Sequence, residues 1–220
     1  MKVKIISVLF IVIGAAGIAN AQKNDISEAE YLQVEARAAE LLNASGYRLR
    51  RVGEYFEDRS KSSRIAESDI LEVLQPNKRR TVEIRDYNGK IRKEERIWDG
   101  KSLYVRTDDG EWKQFSGGSG GGGRIESGQT TKKYRFLGKV DLDGVQADLY
   151  ELESLRIANK FSANDMIVVR FNKKIRSWYS PDGKLLQKII EDSIEGRQDL
   201  SRETTKIEYE PNIKIEAPIP

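Results

Sequence analysis

The sequence predicts an α+β protein that is mainly antiparallel β, built as a strongly curved sheet or unclosed barrel with an N-terminal helix packed on it or in it. Three observations predict this class. A stretch near the N-terminus repeats its apolar residues at helical spacing, the chain beyond Tyr47 alternates with a period of two, and turn signals separate the alternating stretches. These signals are Asn88-Gly89, Asp99-Gly100, Asp109-Gly110, Asp143-Gly144 and Asp182-Gly183.

The first 21 residues have the pattern of a secretory signal peptide. Lys2 and Lys4 give a basic start, an apolar run follows, and Ala19-Asn20-Ala21 supplies the small residues of a cleavage site. The alternative is an uncleaved anchor, but a run of about 14 apolar residues is short for a span of about 20. We therefore expect cleavage after Ala21 and a soluble, periplasmic or secreted mature chain that forms one domain over residues 22–220.

The first element of the mature chain is predicted to be a helix of about 17 residues. Ser27 and Glu30 have the spacing of a capping box, and Asn43 to Gly46 ends the pattern. The apolar residues at helical spacing are Tyr31, Val34, Ala38 and Leu41. Such a helix has a single apolar stripe, so it must lie on something larger.

The remainder is predicted to be a meander of strands. We expect them near residues 47–57, 64–74, 79–87, 91–98, 102–107, 112–115, 132–139, 145–154, 165–171, 175–179, 185–192 and 202–209, with a short helix as the alternative over 154–164. Residues 166–169 and 185–190 have apolar side chains on both faces. The glycine-rich segment 116–124 is predicted to be a surface loop within the domain.

One helix cannot cover a sheet of about ten strands, so the sheet is expected to curl and bury its concave face. A curled sheet with a partly filled interior is a container for a long apolar ligand.

The composition removes several classes of chemistry. The chain has no Cys and no His, which excludes disulfides, thiol nucleophiles and histidine triads. Its 38 basic and 35 acidic residues are interleaved, and removing Lys2 and Lys4 with the signal peptide leaves 36 against 35. This mixing is typical of a solvated surface, so we expect no nucleic-acid partner. Without His the commonest metal ligand is missing, and we expect no metal and no cofactor.

Motifs for catalysis are weak. Gly118, Gly120 and Gly123 fit a dinucleotide-binding pattern, but no helix start follows them. The acidic pairs Glu94-Glu95 and Asp108-Asp109 leave a carboxylate-based hydrolase as a remote alternative. We therefore expect that the protein is not an enzyme.

Aromatic and aliphatic residues of the predicted strands are the candidates for an apolar ligand cavity. Each of them could equally be ordinary sheet core or part of a cross-strand pair. The candidates are Trp98, Leu103, Tyr104, Trp112, Phe136, Leu149, Val169, Trp178 and Leu185.

The order of these pieces carries a family resemblance. The matching segments are the helix ending in Tyr47-Arg48-Leu49, then Gln75-Pro76-Asn77-Lys78-Arg79, Ile97-Trp98-Asp99-Gly100-Lys101-Ser102-Leu103-Tyr104-Val105-Arg106 and Asp109-Gly110-Glu111-Trp112, then the stretch from Trp178 to Leu186 and the closing stretch from Tyr209 to Pro218. Together with the signal peptide they resemble the LolA-like family of periplasmic outer-membrane lipoprotein carriers and their relatives that bind lipids or sense envelope stress.

The resemblance implies an unclosed antiparallel barrel, covered by helices, whose apolar interior shields acyl chains. It implies a lipid or acylated lipoprotein as ligand and envelope membrane proteins as partners. In the carriers an arginine near the helix-facing wall helps to keep the empty form closed, and Arg79 or Arg80 stands at a comparable position as a polar gate. The glycine-rich insertion and the single long helix depart from the carriers. An interaction module of the cell envelope with a filled core is the alternative.

Overall fold

The computed structural model describes residues 24–57, 64–74, 77–87, 90–115, 129–162, 165–210 and 212–218. Three sequence predictions lie outside the described residues: the signal peptide over 1–21, the Asn88-Gly89 turn and the glycine-rich loop 116–124. Within the described parts the chain forms one helix and twelve strands.

Helix α1 covers Glu28–Ala44 and confirms the predicted helix. Its first turn closes as a capping box, because the Glu30 amide donates to Ser27 Oγ at 3.2 Å and the Ser27 amide donates to Glu30 Oε2 at 2.8 Å. Tyr31 and Ala38 are the buried residues of the helix and lie two turns apart. The helix therefore packs through one narrow stripe.

All twelve strands belong to one sheet, and every neighbouring pair is antiparallel. Their bounds are β1 Asn24–Asp25, β2 Tyr47–Phe56, β3 Arg64–Leu74, β4 Lys78–Tyr87, β5 Lys90–Trp98, β6 Leu103–Thr107, β7 Lys113–Phe115, β8 Gln129–Leu142, β9 Val145–Ser162, β10 Asp165–Tyr179, β11 Leu185–Ile194 and β12 Leu200–Tyr209.

The sheet consists of two meanders joined at one seam. Its order is β1-β8-β9-β10-β11-β12-β2-β3-β4-β5-β6-β7, so β8 to β12 form one meander and β2 to β7 the other. The seam is the β12–β2 pair, which runs from Tyr209 opposite Tyr47 to Leu200 opposite Phe56. With β1 and β7 as its two edges the sheet is not closed into a barrel, which confirms the predicted fold class.

Two strands are longer than predicted. The alternative of a helix over 154–164 is wrong, because β9 continues to Ser162 and pairs with β10 from Asp148 opposite Tyr179 to Ser162 opposite Asp165. For the same reason β10 is one strand and not two. A continuous partner supplies hydrogen bonds along the whole length, which overrides the weak local preference of residues 154–164.

The Asp-Gly pairs lie at hairpin turns, as predicted, although one turn differs in detail. At Asp143-Gly144 both residues have positive φ, 53° and 86°. Between β6 and β7 the positive φ values fall on Asp108 and Asp109, and the Gly110 amide donates to the Thr107 carbonyl at 2.9 Å. Aspartate tolerates this conformation because its short side chain binds nearby amides, as Asp108 Oδ1 does with the Lys93 amide at 2.8 Å.

We call the sheet surface under α1 the helix face. The Tyr31 ring lies 5.1 Å from that of Tyr134 on β8 and 6.5 Å from that of Tyr150 on β9, and Lys188 on β11 pairs with Glu35 at 3.0 Å. The helix therefore lies over β8 to β11. Because directly opposed residues of antiparallel strands point to the same face, the register assigns the other strand residues to the helix face or to the opposite face.

The opposite face is covered at two places. Ile215 of the C-terminal segment 212–218 is buried against Ile97 and Tyr104, with Leu74, Trp112 and Ile213 around them. At the other meander Lys206 Nζ on β12 lies 3.0 Å from Asp143 Oδ2 in the β8–β9 turn, so this turn reaches back across the sheet. Val168, by contrast, is 54% exposed, so the expectation that residues 166–169 are covered on both faces is wrong for this residue.

Candidate functional site

A row of mostly apolar side chains crosses the helix face on seven neighbouring strands. We call it the apolar row, and its members are directly opposed to one another from β12 to β7. They are Tyr209, Tyr47, Val73, Arg79, Trp98, Leu103 and Phe115. Six of the seven are aromatic or aliphatic, and the seventh, Arg79, is a cation. At the start of the row a second cation, Lys184, lies over the Tyr209 ring with its Nζ 5.4 Å from the ring centre.

The helix covers the neighbouring half of this face. Its contacts with Tyr134, Tyr150 and Lys188 place it over β8 to β11, while the apolar row begins at β12 and continues to the sheet edge. Phe115 on the edge strand β7 is 46% exposed. The apolar row therefore starts next to the helix and ends in solvent.

The tyrosines near the helix are desolvated. Burial raises the pKa of Tyr31 and of Tyr179 above the usual range, and the charge of Glu35 adds to both effects. The rings of Tyr150 and Tyr179 lie edge to face at 5.6 Å. The part of the helix face under α1 is therefore a packed aromatic layer. The rest of the helix face is more open.

Arg79 is the one charged member of the apolar row. It stands between Val73 and Trp98, its side chain is exposed, and it has no ion pair with another described residue. Burial raises the pKa of the Tyr47 hydroxyl, and the nearby guanidinium of Arg79 opposes this rise. Arg79 therefore places an unpaired positive charge beside the apolar path.

The helix face becomes ionic farther along the strands. Arg51 Nε donates to Asp69 Oδ2 at 2.7 Å, and Arg51 Nη1 lies 3.5 Å from Glu203 Oε2. The Asp69 side chain is buried. Buried carboxylates are usually paired with a cation, and Arg51 is the partner of this one. The helix face is therefore amphipathic, and its apolar row and its ionic groups lie at different positions along the strands.

A cavity of about 600 Å³ opens at the end of β10 and β11. Its lining residues are Val168, Val169, Arg170, Ile194, Glu195, Gly196 and Arg197. Val169 and Ile194 lie on the helix face, and Arg170 pairs with Glu195 at 3.1 Å. The cavity is largely open to solvent, so it is a surface groove and not an enclosed ligand pocket.

The structure divides the cavity candidates between the two faces. Trp98, Leu103, Phe136, Val169 and Leu185 lie on the helix face. Tyr104, Trp112, Leu149 and Trp178 lie on the opposite face. The nine residues therefore do not line one surface.

Arg80, the second gate candidate, lies on the opposite face. Its Nε donates to Glu95 Oε1 at 2.7 Å, and Arg106 Nη2 donates to Glu95 Oε2 at 2.7 Å. Burial works to raise the pKa of Glu95, but the hydrogen bonds from Arg106 and Arg80 outweigh it and lower that pKa. We call Glu95 with Arg80 and Arg106 the ionic clamp; its carboxylate is buried and its two arginines are partly exposed. Arg80 Nη1 also lies 3.4 Å from Glu72 Oε2.

The acidic pair Glu94-Glu95 is split by the strand. Glu95 belongs to the clamp on the opposite face, while Glu94 accepts from Arg96 Nε at 2.6 Å on the helix face. Alternate residues of a strand point to opposite sides, so these two carboxyl groups do not converge on one substrate.

Sequence reasoning left four members of the apolar row off the list of candidates: Tyr47, Val73, Phe115 and Tyr209. Each of the four belongs to a strand that the sequence predicts. Alternation shows which residues of a strand share a face, but it does not show which face of the sheet that is. The pairing of β12 with β2, which puts Tyr209 opposite Tyr47, joins residues more than 150 positions apart. No local signal specifies that register.

The described fold is an open antiparallel sheet with one helix on one face. No family model and no curated protein matches this chain. Among solved structures, LprF from Mycobacterium bovis is similar with a TM-score of 0.44 and 10% identity, covering 89% of this chain and 99% of its own.

Two further structures are similar at lower TM-scores. A LolA superfamily protein from Nitrosomonas europaea has a TM-score of 0.31 and 10% identity, covering 83% of this chain and 94% of its own. A domain named for outer membrane lipoprotein sorting, from Vibrio parahaemolyticus, has a TM-score of 0.30 and 8% identity, covering 84% and 92%. Within the described residues no helix is long and apolar enough to cross a membrane.

Proposed function

We propose that this protein is exported and binds a lipid, or the acyl chains of a lipoprotein, on its helix face, as a carrier or an envelope sensor. The observation that carries the proposal is the apolar row, which runs from the strands beside α1 to the exposed Phe115. Export is supported by the signal-peptide pattern of residues 1–21. The family resemblance of the sequence points the same way.

The energetics suit an acyl chain. Each CH₂ group removed from water contributes about 0.8 kcal/mol, so a long chain gains several kcal/mol from even partial cover. Seven strands at a spacing of about 4.8 Å give the apolar row a length of about 29 Å, which accommodates an extended chain. Binding of this kind needs no covalent chemistry.

We assign the polar gate to Arg79. Its exposed guanidinium lies in the apolar row, so a chain that occupies the row has to displace it or pair an anionic group with it. Arg80 is held by Glu95 on the opposite face and is the weaker candidate. A ligand with a phosphate or carboxylate near its acyl chain would use both the row and Arg79.

The test is mass spectrometry under non-denaturing conditions on protein purified from the native envelope. We expect a co-purifying lipid or acylated species, and a rise in Tm when phospholipid or a lipopeptide is added to delipidated protein. The proposal fails if no lipid co-purifies and neither ligand changes Tm. Co-purification of an envelope protein without lipid would instead favour the interaction module with a filled core.

A further inference from the structure

The outer side of β8 is open over its last five residues. The strand covers 14 residues, but β1 pairs with it only at Arg135 and Phe136. The Ile26 amide adds one hydrogen bond to the Tyr134 carbonyl, at 3.1 Å. In the part of the chain that the structure describes, no strand pairs with the outer side of residues 138–142. We call these five residues the β8 edge.

The β8 edge alternates between apolar and charged side chains. Its register with β9 places Val140 and Leu142 on the opposite face together with Leu149, and it places Lys139 and Asp141 on the helix face. Both charged residues are exposed. An unpaired strand edge carries free N–H and C=O groups that another strand can pair with. The β8 edge therefore has the backbone groups of a pairing surface, with one cation and one anion on the same side.

The two charges of the β8 edge are weakly engaged within the chain. Lys139 Nζ lies 3.9 Å from Asp148 Oδ1, and the Lys139 side chain is 70% exposed. Asp141 Oδ1 accepts from the Gly144 amide at 3.0 Å, and Asp141 has no ion pair with any described residue. Both charges are therefore available to a partner outside the chain.

The order of the residues makes the β8 edge complementary to itself. Two copies can pair antiparallel about a two-fold axis that is perpendicular to the sheet and passes through Val140. Lys139 of each copy is then directly opposite the partner's Asp141, and Gly138 is opposite the partner's Leu142. Directly opposed residues of antiparallel strands point to the same face, and opposite charges in such pairs stabilise them. One interface therefore contains two ion pairs.

The neighbouring registers are unfavourable. Because such an axis keeps each side chain on its own face, it passes through a residue and not between two residues. An axis through Lys139 would put two lysines directly opposite each other, and an axis through Asp141 would do the same with two aspartates. Like charges in these positions destabilise the pair. The charges therefore select the register that is centred on Val140.

We propose that the protein forms a homodimer in which the β8 edges of two copies pair about Val140. The two sheets become one continuous sheet, with both copies of α1 on the same face. Five residues from each copy bury less than the roughly 1,200 Å² of a stable interface, so the dimer forms reversibly and depends on concentration. The β8 edge is separate from the apolar row, and dimerisation needs no ligand on the helix face.

The first test uses the absence of Cys from the chain. Val140→Cys puts the only thiol of each copy on the axis, where opposed Cα atoms are about 4.5 to 5.5 Å apart and can be joined by a disulfide. The control is Val145→Cys, because Val145 is an exposed valine of the inner neighbour β9 on the same face. Diamide accepts the two electrons and two protons that the thiols lose. It should crosslink the Val140→Cys variant about tenfold faster than the control, and equal rates would overturn the proposal.

The second test is sedimentation equilibrium of the full purified protein from about 1 µM to about 1 mM. Every preparation is compared at the same N-terminus, checked by intact mass, because β1 begins at Asn24 next to the β8 edge. We expect a reversible monomer–dimer equilibrium that weakens as salt rises. A protein that stays monomeric at every concentration contradicts the proposal.

Charge variants identify the surface that pairs. Lys139→Glu should weaken dimerisation about tenfold, because it puts like charges opposite each other twice. The exchange K139E/D141K should restore the dissociation constant to within about threefold of the unaltered chain. The control is Lys173→Glu, which reverses an exposed cation on the inner strand β10 and should stay within about twofold. Equal effects of Lys139→Glu and Lys173→Glu, or no recovery in a K139E/D141K protein with unchanged Tm, would exclude the β8 edge as the interface.

Discussion

Lys188 on β11 and Glu35 on α1 form an ion pair in which Nζ lies 3.0 Å from Oε1. Both side chains are about one third exposed, 27% and 34%, so solvent screens the pair and its contribution is below about 1 kcal/mol. The firmer attachment of the helix is Tyr31, which is 2% exposed and packs against Tyr134 and Tyr150. The helix is therefore held mainly by aromatic burial.

The first prediction concerns this attachment. Tyr31→Ala should lower the free energy of unfolding by about 3 kcal/mol, because it leaves a cavity in the aromatic layer. Lys188→Gln should cost less than about 1 kcal/mol, and Leu32→Ala, at a 52% exposed position beside Tyr31, less than about 0.5 kcal/mol. Urea denaturation measures all three, and equal costs for Tyr31→Ala and Lys188→Gln would contradict this account of the helix.

The second prediction concerns Glu95, which is 3% exposed between Arg80 and Arg106. Glu95→Gln should cost about 2 kcal/mol at pH 7, because Arg80 and Arg106 lose the charged acceptor that they share. Both arginines are partly exposed and Arg80 keeps Glu72 as a partner, so neither becomes a buried unpaired charge. Glu94→Gln on the same strand is the control and should cost less than about 1 kcal/mol.

The pH dependence follows from the lowered pKa of Glu95 in the folded state. The stabilisation that ionised Glu95 contributes is fully present above the pKa of about 4.3 that this residue has in the unfolded chain. It is lost as the pH falls through the lower pKa that Glu95 has in the folded chain. The difference in unfolding free energy between the unaltered chain and Glu95→Gln should therefore shrink below about pH 4. A difference that stays constant from pH 7 to pH 3 would show that the clamp is not ionic.

The third prediction tests the apolar row at its exposed end. Phe115→Asn should lower the affinity for a fluorescent acyl probe about fivefold or more, since it removes apolar area that the chain would cover. Gln114→Asn is the matched control, because Gln114 is the adjacent residue of β7 and is opposite Tyr104 on the other face. Probe titration measures both, and equal effects would exclude the helix face as the binding surface.

The fourth prediction concerns the C-terminal segment. Ile215 is 2% exposed and closes the cluster of Ile97 and Tyr104. Ile215→Ala should lower the free energy of unfolding by about 2 to 4 kcal/mol. Ile213→Ala, in the partly buried position two residues earlier, should cost less, and both are measured by urea denaturation at pH 7. If removal of residues 213–220 leaves stability unchanged, the segment does not complete the core.

Much of the fold could be predicted from local patterns. The capping box at Ser27 and Glu30 predicted the start of α1, and the Asp-Gly pairs predicted where strands reverse. These signals involve residues three or four apart, or two adjacent ones, so they can be identified in one sequence. The strand bounds at β9 and β10 failed because their length comes from mutual pairing and not from composition.

The candidate site was harder to predict from the sequence than the fold. Trp98 and Tyr104 were predicted together, yet they lie on different faces, because the face of a residue depends on register. Register shifts between Phe136 and Gly138 and between Trp178 and Tyr179 change the alternation within a strand. The cover that the segment around Ile215 gives to the opposite face is a contact across more than 100 residues, with no local signal.

The seam between β12 and β2 has a consequence for how the chain assembles. The two meanders meet in the middle of the sheet, where β12 pairs with β2. The meander β2 to β7 therefore lacks a partner strand beside β2 until Leu200–Tyr209 is available. Contacts that join distant parts of a chain make folding slow. The native sheet is therefore completed only after synthesis has passed Tyr209, and until then the inner edge of β2 is open to pairing with other chains.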